Sequence, residues 1–135
     1  MDLRARIAAE ALALVGVPFR LHGRTVQGLD CVGLALLAAR RAGCRIGAVP
    51  AYHLRGMAPE RAERFLGEAG LMPVPAAEPG DLLLARTGAM QLHLMIPTGH
   101  GLVHAHAGLR RVVLMPGHSP WPIIGQWRFP SSESD

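Results

Sequence analysis

Glu78-Pro79-Gly80-Asp81-Leu82-Leu83-Leu84-Ala85-Arg86 marks the point at which the hydrophobic period of this chain changes. Downstream, short apolar runs recur at hairpin spacing: Leu82 to Arg86, Leu92 to Ile96, Leu102 to Ala107, Val112 to Met115 and Ile123 to Phe129. They predict a meander of about five antiparallel strands. Upstream, the spacing is helical. Asp2 is placed to cap a helix with Leu3, Ile7, Ala11 and Leu14 on one face, ended by Gly16 and Pro18. Asp30 is placed to cap a second helix running through Arg41, with Arg40 and Arg41 at its negative end. A third opens at Pro59 and runs through Ala62, Phe65, Leu66 and Ala69 to Gly70. Helices first and strands second predict an α+β fold, with one face of the sheet packed on the helices.

The length, 135 residues, fits one domain over residues 1–130, followed by a frayed tail at 131–135. Half of the residues are hydrophobic and 18% are charged, which excludes a disordered chain and supplies a core. Two cysteines, Cys31 and Cys44, are too few for a disulfide framework, and no uncharged apolar run is long enough to span a bilayer. The net charge of +4 comes from arginines scattered between Arg4 and Arg128. Without interleaved aromatics they do not form a single-strand nucleic-acid surface, so no nucleic-acid partner and no membrane insertion are expected. Met1 to Phe19 lacks the unbroken apolar region and cleavage site of a secretion signal, so synthesis in the cytoplasm without an address of its own is expected.

Cys31 falls in the first turn of the second helix, where the helix dipole and unpaired N–H groups favour thiolate and can hold an oxyanion. His93 lies in one predicted strand, and His104 and His106 share one face of the next. If Pro97-Thr98-Gly99-His100 forms a four-residue turn, His93 stands directly across from His104. A connection two residues longer sets it against His106, and a slip of one residue throws it to the opposite face. A histidine base oriented by a second polar residue is what a cysteine nucleophile needs. The rival chemistry is a zinc site built from Cys31, His93, His104 and His106, although no Cys-x-x-Cys or His-Glu-x-x-His spacing accompanies them. Trp121 and Trp127 read as packing residues, and His22, His53, His100 and His118 as solvated loop residues.

Gly16-Val17-Pro18-Phe19-Arg20, Gly28-Leu29-Asp30-Cys31-Val32-Gly33-Leu34, Pro79-Gly80-Asp81-Leu82, His93-Leu94-Met95-Ile96 and Val103-His104-Ala105, in that order, resemble the NlpC/P60 cysteine peptidases. The ending from Trp121 to Trp127-Arg128-Phe129-Pro130 resembles the phage-tail and gene-transfer-agent branch of that family. The resemblance implies a papain-like fold and hydrolysis of amide bonds in peptidoglycan stem peptides, without a cofactor or metal. It makes Cys31 the nucleophile, His93 the base and His104 the ring-orienting residue, with His106 a substitute for His104. Phe19, Asp30 and Val32 are then expected around the oxyanion and pocket; His22 and Arg24 precede Cys31 closely enough to line a cleft, and Arg20 or Arg24 suits a stem-peptide carboxylate. Where the family usually has tyrosine this chain has Phe19, which keeps the ring and loses a hydroxyl donor. The implied partners are stem peptides and tail or tail-tip proteins, the implied location a virion tail acting in the periplasm. A structural tail module with a degenerate fold is the alternative that Phe19 favours.

Overall fold

A computed structural model gives the fold and describes residues 1–47, 49 and 54–131; His53 and Ser132 to Asp135 lie outside the described residues. Helix α1 spans Leu3–Ala13, where the Asp2 carboxylate accepts the Ala5 N–H and Ile7, Ala8 and Ala11 are buried. After it, residues 16 to 19 run along the last strand of the hairpin series: the Gly16 N–H donates to the Val112 carbonyl and the Phe19 N–H to the Arg110 carbonyl. The polar loop that follows contains a two-stranded ribbon, β1 (Arg24–Thr25) and β2 (Gly28–Leu29), too short for its sequence to signal. Helix α2 then spans Cys31–Arg41 with Asp30 as its cap. Helix α3 spans Pro59–Glu68, with proline in its first turn and no side-chain cap. Among the described residues no helix is long and apolar enough to cross a membrane.

Strands β3 (Met72–Pro73), β4 (Leu82–Gly88), β5 (Gln91–Thr98), β6 (Gly101–His106), β7 (Arg111–Met115) and β8 (Ile123–Arg128) form one antiparallel sheet. Its order is β3-β8-β4-β5-β6-β7. The expected meander therefore holds from β4 to β7 and then breaks. The chain recrosses through residues 116–122, and β8 pairs with β4 at Leu82↔Trp127 and Leu83↔Gln126. Alternation along each run sets which face a residue takes but not which strand lies beside it. The extra strand β3 is a two-residue addition to β8 with both residues exposed.

The larger core joins the helices to one face of the sheet: Ile7, Ala11, Leu34, Ala38, Leu66, Leu84, Leu94, Ile96, Val103 and Val112 belong to it. The opposite face carries a smaller cluster of Leu83, Ala85, Met95 and Leu102, with Ala77, Met115 and Trp121 packed on it. Period-two alternation thus puts His93 with Met95, and His104 with Leu102, on the smaller cluster's face.

The Pro-Gly-Asp turn that opens the sheet is fixed by contacts the sequence does not reveal. Gly80 takes φ +90°, and a Cβ there would strike the Arg4 backbone in α1. Asp81 is fully buried; its carboxylate accepts the Glu78 N–H at 2.8 Å and the Arg128 guanidinium at 2.9 and 3.0 Å. That turn locks the start of β4 to α1 and to the end of β8.

Candidate active site

Asp30 positions the front of α2. One carboxylate oxygen accepts the Gly33 N–H and the other the His22 N–H, both at 2.8 Å, and the residue is 6% exposed. It caps the helix and ties the preceding loop to it, with His22 held at φ +62°. The fit is tight: a Cβ on Gly33 would strike the Gly23 carbonyl, and one on Gly23 the Gly28 carbonyl. Any residue larger than glycine at 23 or 33 would force the loop off the first turn of the helix.

Cys31 opens that helix and lines a cleft of about 620 Å³ together with Phe19, Asp30, Val32, His93, His104 and His106. Burial opposes the thiolate expected from the helix position. It pushes the Cys31 thiol up to about 12. The N–H groups of Leu94, Val32 and Cys31 pull it back only part of the way, and the Asp30 carboxylate adds to the rise. Desolvation here works against the helix dipole and favours the thiol form of Cys31 at neutral pH.

The expected strand register also gives way. β5 and β6 pair at Ile96↔Val103, Pro97↔Leu102 and Thr98↔Gly101, so the turn is Gly99-His100 and not the four residues from Pro97. Continued along the strands, this register stands His93 across from His106. Nevertheless His93 Nε2 and His104 Nδ1 lie 2.9 Å apart, with the rings T-shaped and their centroids 5.0 Å apart. The contact is diagonal, within reach of ring side chains on the same face. His106 keeps 5.6 Å from His104 between centroids, and its Nδ1 accepts the Leu109 N–H at 3.0 Å, which fixes the β6–β7 turn.

His104 is 1% exposed, and its Nε2 is buried without a hydrogen-bond partner among the described residues. Burial lowers His93 to about 3 and His104 to about 4, with nearby histidines adding to both shifts. Both rings are therefore neutral at pH 7 and share one proton between Nε2 of His93 and Nδ1 of His104. When His93 donates that proton, its Nδ1 is left with a lone pair to act as a base.

The zinc alternative finds no support in this geometry. Among the described residues no three His, Cys, Asp or Glu are arranged to hold a metal ion. Two of the four candidate ligands spend ring nitrogens on each other. Arg20, His22 and Arg24 are not among the cleft-lining residues, and the Arg24 guanidinium donates to the Val49 carbonyl at 3.2 Å. The cleft's arginine is instead Arg55, brought in by a bridge to Gln91. Gln91 was legible as a neighbour, since it lies two residues before His93 on the same strand face; Arg55 arrives by a tertiary contact with no local signal. Trp121, expected to be packing, also lines the cleft.

A sequence profile of the NlpC/P60 family matches residues 16–120. No curated protein matches the chain in sequence. Among solved structures, NlpC1 from Trichomonas vaginalis superposes with a TM-score of 0.69 at 20% identity, over 95% of this chain and 44% of that one. The peptidoglycan hydrolase RipB from Mycobacterium tuberculosis gives 0.63 at 20% identity, over 93% of this chain and 63% of that one. The NlpC/p60 domain of the peptidoglycan hydrolase SagA gives 0.60 at 24% identity, over 84% and 88%. The chain thus spans less than half of the Trichomonas protein, and at these identities the likeness is one of fold.

Proposed function

The chain belongs to the NlpC/P60 family, and from that premise we propose that it is a cysteine peptidase cleaving amide bonds in peptidoglycan stem peptides. The observation that carries this reading is the His93–His104 hydrogen bond in the same cleft as the helix-start Cys31. Because Nε2 of His93 is engaged, Nδ1 is the atom free to take the thiol proton. Attack and proton transfer are then concerted: Sγ bonds to the carbonyl carbon as its proton passes to His93. Backbone N–H groups at Cys31 and Val32 take the developing oxyanion. His93 returns the proton to the leaving amine, the C–N bond breaks and a thioester remains. Water then adds to the thioester while His93 takes its proton; the C–S bond breaks and the thiol is restored. Among the described lining residues Arg55 is the arginine able to receive a substrate carboxylate.

We propose delivery by a phage or gene-transfer-agent tail, acting in the periplasm, with tail proteins as partners. The support is the sequence resemblance of Trp121 to Pro130; co-purification with tailed particles is its test, and exclusion from them would remove it.

The catalytic reading is tested by mass spectrometry of peptidoglycan and isolated stem peptides incubated with the wild type and with Cys31→Ala. New amine and carboxyl ends formed only by the wild type support a cysteine peptidase and identify the bond. No products from a folded wild type would favour the structural module, in line with the missing hydroxyl at Phe19.

A further inference from the structure

Trp121 lies in residues 116–122, between β7 and β8, one residue beyond the stretch that matches the family profile. Its backbone is pinned by one side chain: the Ser119 hydroxyl accepts the Trp121 N–H at 3.0 Å and donates to the Trp121 carbonyl at 2.8 Å. The indole packs on the cluster of Leu83, Ala85, Met95 and Leu102, the sheet face that also carries the histidine pair. From there it meets both imidazoles edge to face, with centroids 6.3 Å from His93 and 5.8 Å from His104 and interplanar angles of 78° and 86°.

We infer that Trp121 is a positioning residue that keeps water off the His93–His104 hydrogen bond and so holds the two rings in a single arrangement. Three observations converge on it. The indole makes T-shaped contact with both members of the pair. The buried Nε2 of His104 has no hydrogen-bond partner among the described residues, so the indole contact helps define that ring's surroundings. The Ser119 clasp fixes a residue in a segment that belongs to no strand or helix. Among the described residues, the titratable and charged groups lining the cleft with the pair are Cys31 and Asp30 at the start of α2, His106 on β6 and Arg55 from the loop before α3. None of these is apolar, whereas the indole lies against both rings and adds to the burial that lowers them.

The test uses the full chain, with NMR titration of the His93 and His104 ring signals in the wild type, Trp121→Ala, Trp121→Phe and Ser119→Ala, each checked for folding by circular dichroism. In Trp121→Ala both midpoints are expected to rise by about one pH unit or more toward the ordinary value, while Trp121→Phe keeps the wild-type midpoints within a few tenths. Unchanged midpoints in a folded Trp121→Ala, or an equal rise in Trp121→Phe, overturn the inference; a residue with a merely structural role would lower Tm and leave the midpoints alone. Should Trp121→Ala not fold, Ser119→Ala decides: a rise supports the clasp and cover, and no rise overturns them. The inference rests on the proposed catalysis only where activity is read, since the acid limb of kcat/KM should move up in pH with the midpoints. A wild type that releases no products defeats the catalytic reading while the titration still decides the role of Trp121.

Discussion

His93 and His104 are hydrogen-bonded at 2.9 Å even though the pairing of their strands, Ile96 with Val103 and Thr98 with Gly101, runs in the register that faces His93 toward His106. The pair is selected by side-chain reach across a diagonal. It engages Nε2 of His93 with His104, and in the proposed mechanism leaves Nδ1 as the nitrogen that takes the thiol proton.

His104→Ala removes the group that engages Nε2 of His93 and is expected to lower kcat by about a hundredfold or more, the range of positioned acid–base catalysis. His106→Ala loses only the bond to the Leu109 N–H and is expected to cost less than about tenfold in kcat, together with a small drop in Tm. Steady-state kinetics on released amine would check both; equal losses would return His106 to the role of partner.

Cys31 is expected to alkylate slowly at neutral pH, because burial raises its thiol. The thiolate is the nucleophile toward an alkylating agent, so the Cys31 rate should climb about tenfold per pH unit above pH 8 without levelling before about pH 11. Mass-spectrometric rates with iodoacetamide from pH 6 to 11 measure this. A plateau near pH 7 would mean that a thiolate–imidazolium pair exists at rest.

Phe19→Tyr restores a hydroxyl in the cleft that Cys31 lines. A new donor reaching the oxyanion is expected to raise kcat by about tenfold or more with little change in KM. An unchanged kcat would show that the backbone N–H groups already satisfy the oxyanion.

Much of this arrangement was written into local sequence. Asp2 and Asp30 are caps because a short carboxylate before an apolar period has first-turn N–H groups to satisfy, and both do so here. The five main strands follow from alternation. The return of β8 to β4 does not, because adjacency depends on how the whole sheet closes over its core. Nor does the raised Cys31 thiol, since the helix start is local while the walls that desolvate the sulfur come from β5 and the loops. Arg55 and Trp121 were missed as cleft residues for the same reason: each is carried in by a segment with no regular period.

Arg128→Ala leaves the fully buried Asp81 with the Glu78 N–H as its remaining partner and is expected to destabilise the fold by about 3 kcal/mol. Glu78→Gln breaks an exposed ion pair to the same arginine and is expected to cost less than about 1 kcal/mol. Urea unfolding of the two variants gives the comparison. Similar losses would mean that Asp81 does not depend on its charged partner.

Acid should unfold this protein earlier than its carboxylates alone require. His93 and His104 hold their protons only below about 3 and about 4 in the fold, against an ordinary value of about 6.5 once unfolded. Above pH 6.5 both states are neutral and the stability is at its full value. As the pH falls below 6.5 the unfolded chain takes up protons that the fold refuses, so stability is lost by up to about 1.4 kcal/mol per pH unit for each ring until the folded values are reached. Between pH 6.5 and 5 few carboxylates titrate, which isolates the histidines. Urea midpoints measured at pH 7, 6 and 5 should decline in the wild type and decline much less in His93→Gln/His104→Gln; a flat wild-type profile, or the same slope in the double variant, would contradict a buried neutral pair.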